Sequence, residues 1–211
     1  MTTKEAVADK LLQINAIKLS VEKPFTWASG WKSPIYCDNR KSLSFPDIRN
    51  FIKNELSRMV SENYATAELI AGIATAGIPW GALVADQLNL PFIYVRPKPK
   101  EHGLGNQIEG YFEKGRKTVL VEDLVSTGKS SLQVVKILKE EGLNIIGLVS
   151  IFNYGFDMAK AAFEKELVPF KSITDYDTLI KIATEQSIIP LSDRNTLLNW
   201  RRDPANWALN N

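Results

Sequence analysis

The distribution of apolar residues separates an alternating centre of the chain from two different ends. In the centre, four apolar runs have the length of a strand, at residues 69–73, 92–95, 118–122 and 145–152. The segments at about 78–88 and 132–138 instead have apolar residues every three or four positions, as amphipathic helices do. Alternating strands and helices predict an α/β fold with a parallel sheet covered on both faces. Ligands bind at the carboxyl ends of such strands.

The N-terminal end predicts a helix followed by a small β segment. Residues 4–19 have apolar residues at helical spacing. Residues 25–40 mix aromatic residues with Gly, Ser and Pro, which predicts a short strand, a turn and a second short strand. Pro46 then lies near the first turn of a helix with one apolar face.

Helical patterns return after Tyr154, at residues 156–166, 176–187 and 192–201. We find no Gly/Ser-rich linker, internal repeat or low-complexity tract. We therefore expect a single domain over residues 1–211 with elaborations at both ends, which is an ordinary size for one hydrophobic core.

Composition narrows the class of protein. Hydrophobic residues make up 45% and charged residues 24% of the chain, as in ordinary globular proteins. The net charge of +2 is too small to predict nucleic-acid binding. No apolar run approaches the roughly 20 residues that cross a bilayer, and the opening Met1-Thr-Thr-Lys-Glu does not resemble a signal peptide. We expect neither a nucleic acid nor a membrane as partner.

Cysteine and histidine each occur once, as Cys37 and His102. A single cysteine permits no internal disulfide, which fits a cytoplasmic location. One Cys and one His are too few for the nitrogen and sulfur ligands of a typical zinc site. Any metal is therefore expected to be a hard cation bound through oxygen.

The most informative stretch is residues 119–131. An apolar run ends in two adjacent acids, Glu122 and Asp123, and a hydroxyl-rich turn, Ser126 to Ser131, leads into a helical pattern. Such a turn presents free backbone N–H groups and the positive end of a helix dipole to a phosphate. The acids suit sugar hydroxyls or a divalent cation, so a phosphorylated sugar would satisfy both halves. The alternative is a buried strand, a solvated acid pair and an ordinary helix cap.

Residues 96–110 form a long polar stretch with four potentially cationic side chains, Arg96, Lys98, Lys100 and His102. Gly103 and Gly105 are typical of a hinged loop. A cationic loop beside a phosphate cleft is suited to holding a polyanion such as diphosphate. The alternative is a solvated surface loop, although long loops in compact domains usually have a function.

A third candidate is the small-residue turn at 74–77, which follows the first strand of the alternating centre. Backbone N–H groups of Thr75 and Ala76 could bind an anion without any charged side chain. The alternative is a tight strand-to-helix connection with no ligand.

These motifs together resemble a known family. The acid pair followed by Ser-Thr-Gly-Lys-Ser resembles the phosphoribosyl pyrophosphate (PRPP) motif of type I phosphoribosyltransferases. Arg96, Lys100, His102 and Gly103 resemble the catalytic loop of orotate phosphoribosyltransferases, with Pro97 in place of a family lysine. Residues 25–40 resemble that family's N-terminal hood. The resemblance covers most of residues 1–160.

The resemblance implies a type I phosphoribosyltransferase fold. It has a parallel sheet core, a hood from about residues 1–40 and a C-terminal helical elaboration over about 156–211. It implies transfer of the phosphoribosyl group of PRPP to orotate in pyrimidine synthesis, with Arg96, Lys100 and His102 as catalytic residues. It also implies Mg²⁺ on PRPP near the acid pair, and a homodimer that shares the 96–110 loop between subunits.

The resemblance further implies which residues contact PRPP. They are Thr75, Ala76, Arg96, Lys100, His102, Glu122, Asp123, Leu124, Val125, Ser126, Thr127, Gly128, Lys129 and Ser130.

Recognition of orotate is where the chain departs from the family. A family lysine in the hood is Ala28 here, and a family arginine is replaced by Tyr154. Ser126 and Tyr36 are expected near the base. We hypothesise that Arg40 supplies the missing charge, with Lys32 as a second candidate.

Two other functions stay open on the sequence. A phosphoribosyltransferase for another base would keep residues 122–130 but would not need the hood or the 96–102 motif. A non-catalytic regulator could reuse the fold to sense PRPP and bind RNA. The small net charge and the presence of His102 in the basic loop favour an enzyme.

Overall fold

The computed structural model describes residues 1–27, 29–97 and 107–207. The strands are β1 (Ile17–Leu19), β2 (Phe25–Thr26), β3 (Lys32–Ser33), β4 (Ile35–Cys37), β5 (Leu69–Ile73), β6 (Phe92–Val95), β7 (Ile108–Glu109), β8 (Lys117–Val125), β9 (Asn144–Asn153) and β10 (Phe170–Asp175). The α-helices are α1 (Thr3–Gln13), α2 (Pro46–Asn63), α3 (Gly77–Leu88), α4 (Lys129–Glu140), α5 (Asp157–Lys165), α6 (Tyr176–Glu185) and α7 (Asp193–Arg202).

Six of these strands form the central sheet, in the order β10-β9-β8-β5-β6-β7. All neighbouring pairs are parallel except β6 and β7, which are antiparallel. Every residue of β5 is buried, because helices cover both faces of a parallel sheet. This confirms the predicted α/β fold and places the carboxyl ends of β5, β6 and β8 along one edge.

Strand β8 is longer than predicted. We expected it to end at about residue 122, but Leu124 and Val125 pair with Phe152 and Asn153 of β9. The acid pair therefore lies inside the strand, which fixes its backbone by hydrogen bonds to β9. The sequence prediction was wrong because two acids resemble the polar end of a strand.

The first helix is shorter than predicted. It ends at Gln13 instead of residue 19, because Asn15 adopts a left-handed conformation with φ of 54°. Asparagine tolerates this conformation and commonly terminates helices. The chain then reverses, and Ile17 to Leu19 form β1, which pairs antiparallel with β4.

Strand β10 was missed in the sequence. It lies between α5 and α6 and adds a parallel edge to the sheet beside β9. Its sequence, Phe-Lys-Ser-Ile-Thr-Asp, has only two strongly apolar residues, and its register is set by pairing with β9. The C-terminal segment thus contributes a strand to the sheet as well as three helices.

The N-terminal segment has two roles. Helix α1 packs against α6 and β10, and an ion pair of 2.6 Å joins Glu5 to Lys181. Strands β1 to β4, which we call the cap strands, form two small antiparallel pairs and lead into a 3₁₀ helix, Asn39–Ser44. Within the part of the chain that the structure describes, no helix has the length and apolar character needed to span a bilayer.

Candidate active site

The acid pair lies two residues before the carboxyl end of β8 and is largely withdrawn from water. Glu122 is 6% exposed, and its Oε1 accepts a hydrogen bond of 3.0 Å from the N–H of Asp123. Burial raises the pKa of Glu122 well above its ordinary value, and the charge of Asp123 adds to this shift. Burial also raises the pKa of Asp123. Hydroxyl donors or a cation at this pair would favour its charged form.

A tight turn follows the acid pair and begins α4. Gly128 precedes the helix in a left-handed conformation, with φ of 77°. A Cβ at this position would lie 2.8 Å from Cε2 of Phe163. A larger residue is therefore disfavoured both by the left-handed backbone and by this clash. Among the residues that the structure describes, no side chain caps the start of α4, so its first N–H groups are available to an anion. The role of this turn as a phosphate cradle stays a prediction, with which an uncapped helix start is compatible.

The turn after β5 lies beside the same edge. Thr75 and Ala76 lead into α3, and the peptide between Ala74 and Thr75 is cis. A Cβ on Gly77 would collide with the carbonyl oxygen of Val121, so the start of α3 lies directly against β8. This packing places the 74–77 turn next to Glu122, as the sequence predicted.

Arg96 follows β6 on the same side of the sheet. Its Nη1 lies 3.7 Å from Oε1 of Glu109, and together with Ala74 and Ser130 it lines a small cavity of about 40 Å³. Arg96 is thus positioned between the 74–77 turn and the first turn of α4. Lys98, Lys100 and His102 lie outside the described residues, so their predicted roles stay predictions.

A larger cavity, of about 650 Å³, opens between the cap strands and the end of β8. The residues that line it are Thr26, Trp27, Ser29, Trp31, Tyr36, Cys37, Leu124, Ser126, Thr127, Lys129 and Tyr154. It includes Ser126 and Tyr36, which we predicted to lie near a base. Its size and apolar walls suit a planar ring with a few polar contacts.

The two cations proposed for base recognition lie elsewhere. Nε of Arg40 donates to Asp38 over 2.6 Å, and Arg40 is not among the residues that line the cavity. Nζ of Lys32 donates to the hydroxyl of Thr26 over 2.8 Å. Both side chains are exposed, and Arg40 acts on the acid pair only through its charge, which opposes the rise in the pKa of Asp123.

Aromatic rings form the wall of the cavity. The centroid of Tyr154 lies 4.9 Å from that of Trp27 and 5.5 Å from that of Phe156, with the latter pair stacked. Trp200 of α7 packs edge-on against Trp27, and its Nε1 donates to the carbonyl oxygen of Lys32 over 3.1 Å. Trp27 and Trp200 thus pack together and join α7 to the cap strands. Trp27 also lines the cavity, which its sequence context did not indicate.

Tyr154 is buried, and burial raises its pKa well above the ordinary tyrosine value. It is therefore a neutral part of the cavity wall. Tyr154 therefore does not supply the positive charge of the arginine that the family has at this position.

Asn39 is a site residue that the sequence did not reveal. It is fully buried, and its Nδ2 donates to the carbonyl oxygen of Asp123 over 2.8 Å. This bond joins the end of the cap strands to the acid pair. The local sequence Asp38-Asn39-Arg40 does not predict this hydrogen bond, because its two partners are 84 residues apart in the chain.

Glu122 and Asp123 are hard oxygen donors of the kind that Mg²⁺ binds. Mg²⁺ takes hard oxygen ligands, and it usually keeps several waters and substrate oxygens around one or two carboxylates. The described residues contain no group of three or more His, Cys, Asp or Glu side chains that could hold a metal.

Comparison with known proteins identifies the class to which this fold and site belong. The phosphoribosyl transferase domain family matches residues 48–184, and the chain belongs to this family. The orotate phosphoribosyltransferase of Bacteroides thetaiotaomicron is 52% identical over 95% of this chain and 94% of its own. That of Bacillus subtilis is 52% identical over 95% of this chain and 93% of its own. Within the family, the chain is therefore a member of the orotate phosphoribosyltransferases.

A solved structure agrees. The orotate phosphoribosyltransferase of Aeropyrum pernix superimposes with a TM-score of 0.75 at 26% identity, over 87% of this chain and 99% of that chain. The type I phosphoribosyltransferase fold predicted from the motifs is confirmed.

Proposed function

We propose that the protein transfers the phosphoribosyl group of PRPP to orotate, giving orotidine 5′-phosphate and diphosphate in de novo pyrimidine synthesis. The observation that carries the proposal is the arrangement of residues 122–129. The largely buried acid pair directly precedes Leu124, Ser126 and Thr127, which line an aromatic cavity of about 650 Å³, and Lys129, the first residue of α4, lines it as well. This arrangement accommodates a ribose 5-phosphate and a planar base side by side.

In this proposal, the chain's residues act mainly by orientation and charge. Glu122 and Asp123 hold the ribose hydroxyls and fix the reacting carbon relative to the base. Backbone N–H groups from Ser126 to Ser130 hold the 5′-phosphate, whose remote binding energy supports that orientation. As the bond to diphosphate breaks, positive charge develops at the sugar C1, and N1 of orotate attacks from the opposite face.

The leaving diphosphate requires cations. We assign its stabilisation to Arg96, Lys100 and His102, with Thr75 and Ala76 contributing backbone N–H groups. Mg²⁺, when bound, would add electrostatic stabilisation of the diphosphate near Glu122 and Asp123. Closure of the 96–110 loop would exclude water that could hydrolyse the sugar.

Three finer features belong to the same proposal. Mg²⁺ as cofactor is supported by the pair of hard carboxylate donors. A homodimer that shares the 96–110 loop is supported by the resemblance of Arg96, Lys100 and His102 to the family's loop. A cytoplasmic location is supported by the single cysteine, Cys37, which is free.

Orotate consumption, followed by its ultraviolet absorbance with PRPP and Mg²⁺ present, tests the proposal directly. We expect turnover with orotate and none with adenine or hypoxanthine. Turnover with a purine and not with orotate would indicate a phosphoribosyltransferase for another base. Binding of PRPP without turnover of any base would indicate a regulator.

A further inference from the structure

We infer that the side chain of Lys129 supplies the positive charge that recognises the carboxylate of the base. This inference rests on the proposed function and deepens it, because it names the group that gives the aromatic cavity its preference for an anionic pyrimidine. It adds a side-chain role to a residue whose backbone N–H belongs to the phosphate cradle.

In the part of the chain that the structure describes, the cavity has almost no charged side chains in its wall. The residues that line it are aromatic, aliphatic, hydroxyl or thiol side chains, with Lys129 as the one charged member among the described residues. Burial keeps the thiol of Cys37 protonated by raising its pKa, and Tyr154 is neutral as well. A carboxylate that enters such an apolar site loses its hydration, and without a counter-charge nothing offsets that free-energy cost. Lys129 is therefore the available counter-charge within the wall.

Arg40 and Lys129 differ in whether an acid already pairs with them. Arg40 is already paired with Asp38, and the hydrogen bond between them holds the pKa of Asp38 below its ordinary value. A new carboxylate would have to compete with that pair. Across residues 1–27, 29–97 and 107–207, by contrast, no acid forms an ion pair with Lys129, and its side chain is exposed at the cavity. Its ammonium group can meet a ligand without breaking a protein contact.

Lys129 lies between the turn at Gly128 and the base cavity. As the first residue of α4, it immediately follows Gly128, so its own N–H has no acceptor within the helix. Lys129 lines the base cavity together with Ser126 and Thr127. It is not among the residues that line the separate cavity of about 180 Å³ bordered by Val125 and Lys160. Lys129 thus borders the cavity that we assign to the base.

Two nucleotides that differ only in the carboxylate provide the test. Orotidine 5′-phosphate and uridine 5′-phosphate have the same ribose phosphate, so the ratio of their dissociation constants isolates the carboxylate contact. For Lys129→Gln, we expect this ratio, measured by calorimetry on the full chain, to fall about tenfold, or ~1.4 kcal/mol. Lys129→Arg should keep the ratio within about threefold, because a guanidinium also pairs with carboxylates.

Matched controls separate this role from general charge and from folding. Lys136 lies on the same helix with a 76% exposed side chain, and Lys136→Gln should leave the ratio unchanged. Arg40→Gln tests the competing hypothesis for base recognition. Urea unfolding of each variant shows whether the fold is retained, and Lys129→Arg provides a second measurement if Lys129→Gln is unstable.

The outcomes are distinct. Equal weakening of both nucleotides by Lys129→Gln would assign the side chain to the phosphate and overturn the inference. A fall in the ratio for Arg40→Gln but not for Lys129→Gln would overturn it in favour of Arg40. If the unaltered protein fails to turn over orotate with PRPP, the proposed function fails, and the inference fails with it. A normal turnover with an unchanged ratio in Lys129→Gln overturns the inference alone.

Discussion

The two halves of the cleft are built in opposite ways. The sugar-phosphate half consists mainly of consecutive residues, 122–130, whose backbone N–H groups and two carboxylates are set by one strand and one turn. The base half consists of residues from distant segments, such as Trp27, Tyr36 and Tyr154, with Trp200 packed against Trp27. The first half depends on backbone conformation and charge. The second depends on packing, so the two halves should respond differently to substitution.

The strongest effect is expected at the acid pair of the sugar-phosphate half. Asp123→Asn should lower kcat/KM about 100-fold or more, since it removes a charge that acts on the reacting sugar. The same change should raise the free energy of unfolding of the ligand-free protein by about 1 kcal/mol, because it relieves a buried carboxylate pair. Steady-state kinetics and urea unfolding measure the two effects.

Glu164→Gln is a suitable control for Asp123→Asn, because Glu164 is exposed on α5. It should change neither quantity. If Asp123→Asn kept full activity, the carboxylate would have no part in orienting the ribose.

The next effect concerns the backbone of the phosphate turn. Gly128→Ala should destabilise the protein by about 2–4 kcal/mol and raise the KM for PRPP, because it combines a left-handed conformation with a clash against Phe163. Gly115 is a matched control with φ of 84° and nothing within 4 Å of a built Cβ. Gly115→Ala should cost only about 1 kcal/mol and leave the KM unchanged. Equal costs in urea unfolding would argue that the Phe163 contact is absent in solution.

The base half should show a smaller and more selective response. Trp200→Phe removes the hydrogen bond to the carbonyl oxygen of Lys32, worth about 1 kcal/mol, and loosens the cap strands. We expect the KM for orotate to rise about threefold to fivefold with the KM for PRPP unchanged. Trp207→Phe, at a position 8% exposed, should alter stability without this selectivity. A parallel rise in both KM values would show that the two halves are not separable.

The smallest expected effect is on the pH dependence of stability. Because the folded pKa values of Glu122 and Asp123 are raised, the folded state binds more protons than the unfolded state above the ordinary carboxylate range. The stability of the ligand-free protein relative to a Glu122→Gln, Asp123→Asn variant should therefore fall as pH rises from about 4 to 8. Comparing the two proteins cancels acids with lowered pKa values, such as Asp38 and Asp175. A constant difference across this range would contradict the shifts.

The sugar-phosphate half was easier to predict from the sequence than the base half. The motif at 119–131 predicted an acid pair followed by a turn that starts a helix, and the structure has both, because each is a local pattern with a local physical cause. The lining of the base cavity was only partly predicted. Ser126 and Tyr36 were expected, whereas Asn39 and the cavity-lining role of Trp27 depend on contacts between segments far apart in the chain.

The errors in secondary structure have the same origin. Strand β10 has little apolar character of its own and forms because β9 offers an open edge. The extension of β8 through Val125 likewise depends on pairing with β9. Only the end of α1 had a local cause in the sequence, since Asn15 favours the left-handed conformation that stops the helix.

The sequence by itself determined the alternating α/β core, the acid pair, the glycine-containing phosphate turn and the family resemblance, because short-range periodicity and residue chemistry specify each of them. Only the tertiary structure decided that the cap strands and Tyr154 line one aromatic cavity with Ser126, that Trp200 of α7 supports the cap strands, and that Lys129 is the charged residue among the described residues of the cavity wall. Side-chain direction and long-range packing set these contacts, and neither is specified by neighbouring residues in the chain.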